Sequence, residues 1–567
     1  MKTLRLKIIA ALVMFSLNAV QAQWFTEPLN IMDTMSGPNY NLTFQNGIWQ
    51  FYSGVNTGTL AYNGNVLGPT LIMNEGDSVH ITVTNTTSEV TSTHWHGFHV
   101  PANVDGTHYN AIQPGETWTP SFKIMNKAAT YWYHPHLYGT TNRHVSKGAS
   151  GMIIVRDEEE ATKDLPRTYG VDDFPLVIQS KIINPNNGQI VLTGPFDSTM
   201  TVNGVVKPYL EVPAQPVRFR MLNGASRRNF MIGLSDDRNY HQIATDGSLT
   251  PEPREMNRVF LGNGERSEIV VDFTGQEDST YYLMCYGTEL GAFVPGGATG
   301  GGGMGANPYD SADYAIMRID VVEATNNPVP FDPNQTLTTI EPWDENDADT
   351  TRQIVFSGGL GEPFIFGDTV FLHNVINQVV PLGNIEIWEL VNTTFLTHPF
   401  HVHDVQFQIL DIDDGPVPIA EQGLKDVVNV PAFGSARIMM QFLDFFNPDT
   451  AYMYHCHNLA HEDEGMMAQF VVVDTTSSVV TNIQESDRQV AVYPNPADVF
   501  VQLQGVSGDG QFILRDMLGR VVLVKQVNGN SEPRISVSDI VDGVYSYSLE
   551  LINEPDVLGK LVIRHPR

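Results

Sequence analysis

Only two cysteines occur in 567 residues, Cys285 and Cys456. A disulfide-stapled scaffold is therefore excluded, and if Cys456 binds a metal no intrachain disulfide can form at all. Basic residues are scarce, with 32 Lys and Arg against 64 Asp and Glu and a formal net charge of −32. That balance excludes nucleic acid as a partner and suits a soluble, cation-attracting exterior. No apolar run beyond the N-terminus is long enough to be a spanning helix. Long amphipathic helical periodicity is missing as well. The N-terminus itself reads as an export signal: Lys2, Arg5 and Lys7, an apolar stretch from Ile8 to Val20, then the small-residue site Val20-Gln21-Ala22. The leader is expected to span 1–22, with the mature chain starting near Gln23.

The pattern that is present is β. Val79, Ile81 and Val83 alternate with His80, Thr82 and Thr84, as in a half-buried strand. Similar runs recur at Gly151–Val155, Ile269–Phe273, Ile385–Leu390 and Gln469–Val473. With 48 Gly and 34 Pro punctuating the chain, many short strands predict sandwiches or barrels. Cys285 lies in one such apolar run, Tyr281–Tyr286, and reads as a buried inert thiol.

Ten of the 17 histidines fall into four clusters. His94-Trp95-His96 and His134-Pro135-His136 each offer two imidazoles at i, i+2. His398-Pro399-Phe400-His401-Val402-His403 offers three. His455-Cys456-His457, with His461 and Met466 downstream, adds three imidazoles, a thiolate and a thioether. Successive strand residues point to opposite faces, so His455 and His457 share one face and Cys456 takes the other. His398 is likewise opposed to His401 and His403. If the chain beyond Cys456 is a loop, His461 and Met466 can fold back to join Cys456 and His398. A His/Cys site with a weak axial Met is a blue-copper electron-transfer site. The remaining eight imidazoles suit a cluster of several metals. Any one His-x-His is more often a solvated or core pair. Zinc also takes Cys and His but gives no reason for the Met.

In these four motifs, their order and their spacing, the chain resembles the multicopper oxidases, the laccase-like blue oxidases. The resemblance covers about residues 24–474. The stretches HWHGFHVPANVDG and HCHNLAHEDEGMM are most similar to the bacterial cuprous-oxidase and spore-coat laccase branch. The resemblance implies four copper ions. Type 1 copper would take His398, Cys456, His461 and Met466, and type 2 copper His94 and His401. The type 3 pair would take His96, His134, His136, His403, His455 and His457. It also implies an all-β fold of three cupredoxin-like Greek-key β-barrels: 24–160, 161–327 and 328–475. The middle one holds a single histidine, His241, and no recognisable ligand, although Gly264–Val271 resembles the family's middle domain. Asp105 matches a family acid beside type 2 copper, and Glu462 one that relays protons to the type 3 pair. Either could instead be a plain loop or surface carboxylate, since Asp-Gly is a common turn. His99 and His108 match no ligand position and are expected outside the ligand set. Trp95, Trp132 and Phe400 are expected to pack around the cluster.

The implied reaction is one-electron oxidation of a small reductant coupled to reduction of O2 to water. Electrons would enter through His398 or His461, then pass through Cys456 into His455 or His457. Phenols and other organic reductants are the first expectation for the substrate, because the Met-rich insertion of some cuprous oxidases is absent. Cu(I) stays open, because of the branch resemblance. A nitrite reductase would lack the type 3 imidazoles, and a copper-sequestering protein would not need Cys456 wired between two of them. The Gly-rich segment 290–306 reads as a surface loop, with a lid as the weaker alternative. After a linker, 476–488, residues 489–567 carry Tyr493-Pro494-Asn495-Pro496, Asp516–Arg520, Asp542–Tyr545 and Gly559–Ile563 in order. This part resembles the small β-sandwich sorting domain of the Bacteroidetes type IX secretion system, implying a secreted or cell-surface protein. A carbohydrate-binding or adhesive β module is the other reading of these turns.

Overall fold

Alternation builds the strands as expected. In Ser78–Asn85, Val79, Ile81 and Val83 are buried while Ser78 and His80 face solvent. The other four runs fall on strands too, Gly151–Arg156, Arg266–Asp272 (which stops one residue short of Phe273), Ile385–Asn392 and Met467–Val473. The architecture comes from a computed structural model that describes residues 25–194, 197–297, 307–359 and 361–474. Towards the C-terminus it describes 491–493, 497–504, 506, 510–515, 521–528, 533–538, 540–541, 543–551 and 557–565. The expected leader and linker, residues 298–306 of the Gly-rich segment, and the Pro494–Pro496 and Asp516–Arg520 turns lie outside the described residues.

The chain divides into two compact units, Met1–Asp474 and Thr475–Arg567. In the first, three apolar cores succeed one another. One is centred on Tyr40, Phe44, Trp95 and Tyr131, the next on Phe174, Phe219, Phe230 and Phe273, and the third on Trp388, Phe400, Tyr454 and Phe470. Paired sheets enclose each of them. The second unit has a three-stranded and a four-stranded sheet over a core that includes Phe512, Leu549 and Leu561. The expectation of an all-β chain is borne out, and the described helices are short, such as Thr141–Ser146 and Leu459–Asp463.

Two of these sheets position the histidine motifs. In one, the strand order is Thr34–Ser36, Thr70–Asn74, Gly151–Arg156, Ala129–His134, His94–His96. His94 stands directly opposite His134, and His96 opposite Trp132. In the other, the order is Gln378–Pro381, Met467–Val473, Asn447–Cys456, His398–Val402, Val427–Val430. Here His401 is opposite His455, and Phe400 opposite Cys456. Directly opposed residues share a face. Both registers therefore gather imidazoles on one face, and Cys456 lies on the other face with Phe400. Cys285 is buried in its strand, Thr280–Tyr286, where desolvation pushes the thiol pKa up.

Candidate metal centre

On the imidazole face, ring nitrogens converge in three groups: His94, His96 and His401; His96, His134 and His457; and His136, His403 and His455. Within each group the ligand atoms all lie within 4.8 Å of one another. Hydrogen bonds fix most of the rings. His94 Nδ1–H donates to the Asp105 backbone carbonyl (2.9 Å) and His401 Nδ1–H to that of Asp426 (2.7 Å). His134 Nδ1–H donates to the Pro135 carbonyl at 2.9 Å. His403 Nδ1–H donates to Asp105 Oδ2 (2.7 Å), and His96 Nε2–H to Asp426 Oδ1 (3.1 Å). Each such bond leaves the other ring nitrogen with its lone pair aimed inward. His94 Nε2, His96 Nδ1, His134 Nε2 and His401 Nε2 are buried without a hydrogen-bond partner, as are both ring nitrogens of His457.

The chemistry of this donor set fits metal ions. His455 Nε2 faces His136 Nε2 at 3.0 Å and His403 Nε2 at 3.3 Å. His455 Nδ1 lies 3.2 Å from both the Cys456 carbonyl and Glu462 Oε2, so Nε2 is its lone-pair nitrogen. Lone pairs that close repel unless a cation lies between them. Protons are poor candidates. Burial, reinforced by neighbouring imidazoles, holds His96, His134, His401 and His403 well below the usual histidine range, and burial holds His136 and His457 down to about 3. Neutral, desolvated imidazoles oriented by second hydrogen bonds are what a metal requires.

On the opposite face, His398, Cys456 and His461 form a separate buried group. Cys456 Sγ is 3.5 Å from His398 Nδ1 and 3.8 Å from His461 Nδ1, and it accepts from Asn458 N–H at 3.4 Å. Met466 is fully buried in the same apolar cluster, and its carbonyl accepts from Cys456 N–H (3.0 Å). Burial pushes the Cys456 thiol up, so a metal must displace its proton on binding. The expected loop after Cys456 is in part a helical turn. Leu459–Asp463 is a one-turn helix whose first turn is capped by the Asn458 side chain. The turn carries His461 back towards Cys456 and lets the His461 carbonyl accept from Met466 N–H at 2.8 Å. His398 is wholly buried, whereas His461 is 9% exposed. His461 opens on a cavity of about 570 Å³ lined also by Lys181, Arg227, Phe364 and Phe395. The Phe364 ring lies 4.4 Å from that of His461.

Both expected carboxylates are at the imidazole face. Asp105 Oδ1 is 3.1 Å from His94 Nδ1. The following Gly106 has φ +92°, and a Cβ there would run into the Thr93 carbonyl, so only glycine lets this turn close on His94. Glu462 Oε2 is 3.2 Å from His455 Nδ1, and Oε1 is 3.7 Å from His136 Nδ1. Burial disfavours the ionised form of Glu462, but the pull of those two imidazoles outweighs it and holds the carboxyl below the usual carboxylate range. His99 lies outside the three groups, bonded to Asp404 beside His403 (2.8 Å). His108 packs against His373 at 4.8 Å.

Of the three aromatics expected around the cluster, only Trp132 has its ring on it, stacked 4.1 Å from His134. Trp95 lies between His94 and His96 on its strand, so its ring turns into the apolar core with Trp118 and Phe122. Phe400, opposite Cys456, packs with Phe356 and Tyr454 on the thiolate side. The alternation that sorts the imidazoles sends both rings the other way.

Two site residues are not visible as a motif. Asp426 is fully buried, and Arg266 grips it with two bonds of 2.7 and 2.6 Å. The other guanidinium donors of Arg266 go to the carbonyls of Thr130, Gly264 and Asp246, so all five are used. Gly264, in the same run, lies against the His457 ring. The middle of the chain supplies no clustered histidine, yet it clamps the carboxylate that orients His96. The resemblance of Gly264–Val271 to a middle domain was the only sign of it in the sequence.

Comparison with known proteins places these features in a family. Two profiles, each described as multicopper oxidase, match residues 43–160 and 333–476, and one described as a secretion system C-terminal sorting domain matches 491–564. A multicopper oxidase, Mco, of Staphylococcus haemolyticus is 31% identical over 444 residues, 77% of this chain and 89% of that protein. The cell division protein FtsP of Dickeya dadantii is 28% identical over 450 residues, 78% and 91% of the two chains. Among solved structures, the laccase-like multicopper oxidase CueO of the lignin-degrading bacterium Ochrobactrum sp. superposes with a TM-score of 0.71. It is 32% identical and covers 79% of this chain and 100% of its own; it is described as an oxidase active towards lignin model compounds and lignosulfonate. The fold is thus that of the cupredoxin-like multicopper oxidases. The two blocks matched by the oxidase profiles are those that hold every clustered histidine, and the Staphylococcus relative is 31% identical over 77% of the chain: the chain belongs to the multicopper oxidases and is an oxidase.

Proposed function

We propose that the protein is a laccase-like, four-copper oxidase that takes electrons singly from phenolic or other small organic reductants and reduces O2 to water. Four electrons and four protons convert one O2 into two waters. Type 1 copper would be held by His398, Cys456, His461 and Met466. Type 2 copper would be held by His94 and His401, and the type 3 pair by His96, His134, His136, His403, His455 and His457. When bound, the copper ions supply one-electron redox chemistry and the capacity to deliver four electrons together. The observation that carries this reading is the back-to-back arrangement at His455–His457: a His/Cys/His group on one face of the strand and eight converging imidazoles on the other.

The remaining steps belong to the chain. His461, the ligand with an exposed edge, is the contact for the reductant, and His398 stays behind it with Nε2 held 2.8 Å from Thr394 Oγ1. Cys456 is covalently continuous with His455 and His457, so the shortest route between the two faces is one residue long. Asp105 Oδ2 holds a proton on His403 Nδ1. Ionised Glu462 is placed to accept a proton and pass it on beside His455 and His136. Trp132 and the buried imidazoles keep bulk water from the cluster. We take 24–160, 161–327 and 328–475 as the three domains, with the cluster between the first and third. The segment 489–567 is taken as a type IX sorting domain that directs a secreted or cell-surface location, and the leader 1–22 as the export signal.

Organic reductants are favoured over Cu(I) because, among the described residues, neither Met nor Cys lines the cavity beside His461. The test is O2 uptake by the copper-loaded protein, with a methoxyphenol in one arm and Cu(I) in the other. Faster uptake with the phenol is expected. Faster uptake with Cu(I) makes it a cuprous oxidase for copper tolerance. Full copper loading with no uptake on either makes it a copper-sequestering protein.

A further inference from the structure

We propose, building on the oxidase reading above, that the cavity beside His461 selects anionic aromatic reductants, a carboxylate or sulfonate seated on Lys181 and Arg227 with the ring against Phe364. The molecule carries a formal charge of −32, so any cationic pocket runs against its general field. This cavity has one. Lys181, on the strand Asp173–Ile183, is 4% exposed, and its Nζ donates to the Ser146 carbonyl at 2.9 Å. Among the described residues no carboxylate acts on it. Burying an ammonium without a counter-charge is costly, and such a conflict between sequence and fold marks a place where a ligand completes the site.

Arg227 is the second cation. The carbonyl of its neighbour Ser226 accepts from Leu459 N–H (3.0 Å), two residues before His461, and Arg227 and His461 line the same cavity. Asp197 and Asp310, the carboxylates that act on Arg227, are both held by Arg228, at 2.7 and 2.6 Å. Glu362 and Glu464 also line the cavity, but both are exposed at its rim, where water screens them. The buried charge, Lys181, is positive, and the exposed charges, Glu362 and Glu464, are negative. Phe364 and Phe395 give the apolar wall, and about 570 Å³ admits a substituted single ring. Two cations in such a wall disfavour Cu(I). The oxidation itself is loss of one electron and the phenolic O–H proton: the electron leaves through His461, the proton goes to solvent, and O2 is the final acceptor.

Calorimetric titration with 3,5-dimethoxybenzoate and its neutral methyl ester, neither of which carries a phenol to oxidise, reads binding apart from turnover. At pH 6 the acid is expected to bind about tenfold more tightly than the ester. The ratio is expected to fall as pH rises through about 7, where burial has brought the Lys181 ammonium. Lys181→Met and Arg227→Gln are each expected to bring the ratio towards one, and because Arg227 is only half-buried its variant tests the anion seat without emptying a buried site. Equal affinity for acid and ester overturns the proposal, and so does an anion preference that survives both substitutions. O2 uptake with syringate and methyl syringate separates this from the oxidase reading. Anion binding without uptake sinks the oxidase reading alone, and equal KM values for the two phenols sink the anion pocket alone.

Discussion

Replacing Asp426 with Asn removes one charge from the cluster's surroundings while keeping the shape of the side chain. In the parent protein the carboxylate accepts two bonds from Arg266, at 2.7 and 2.6 Å, and one from His96 Nε2–H at 3.1 Å. An amide can accept on its oxygen alone, and its NH2 group would point at another donor. Breaking one side of a fully buried ion pair typically costs about 3–5 kcal/mol, because the other charge remains desolvated. The Arg266 guanidinium keeps its three bonds to carbonyls, so the lower end, about 3 kcal/mol, is the expected loss in unfolding free energy. His401 is spared: its Nδ1–H goes to the backbone carbonyl of Asp426, which the substitution leaves in place. The damage should therefore concentrate at His96 and weaken metal binding there about 10–100-fold, the usual scale for losing an orienting partner. Urea melts of the copper-free variant read the first effect, and equilibrium dialysis against buffered copper reads the second. Because Asp426 is on the imidazole face, the blue colour of the Cys456 centre should survive. A variant as stable as the parent that loads the same amount of copper at the same free concentration would refute the clamp.

Glu462→Gln should keep the blue colour and slow O2 reduction at least tenfold, measured by oxygen electrode; unchanged turnover removes the proton-passing role. Cys456→Ser should abolish blue absorbance and oxidase activity together while the eight imidazoles still bind copper, counted by dialysis. Lys181→Met should stabilise the fold in a pH-dependent way. Burial lowers the Lys181 pKa from 10.5 to about 7, so below pH 7 both folded and unfolded chains hold the proton and the parent bears the full cost of the buried charge. Between 7 and 10.5 the unfolded chain holds more protons, and parent stability climbs towards the variant's. The variant's advantage, on the order of 4 kcal/mol below pH 7, should thus shrink towards pH 10 in chemical denaturation. An advantage independent of pH would contradict it.

The ligand-bearing histidines were legible because strand alternation is a short-range rule. His455, Cys456 and His457 are consecutive on one strand, and their two faces follow from that alone. The same rule, applied to Trp95 and Phe400, would have turned those rings away from the cluster. The short helix Leu459–Asp463 hid inside an expected loop because one turn is too brief to show periodicity, and its capping Asn458 is the only local sign. Asp426 and Arg266 were beyond reach for another reason. Their meeting spans 160 residues and depends on packing of the middle of the chain against the sheet that carries His398–Val402. Lys181 and Arg227 are similar. Nothing in a stretch without clustered histidines suggests a cationic wall until the fold brings both to His461.

The central claim is that the two groups flanking the His455–His457 strand act as one four-electron device. It is tested most directly by stoichiometry. The copper-loaded protein is given limiting O2 and an excess of a one-electron phenolic reductant, and both consumption and peroxide release are measured. Four reductant molecules oxidised per O2, with no peroxide, is the predicted result. A ratio of two with peroxide released, or no O2 consumption by fully loaded protein, would contradict it.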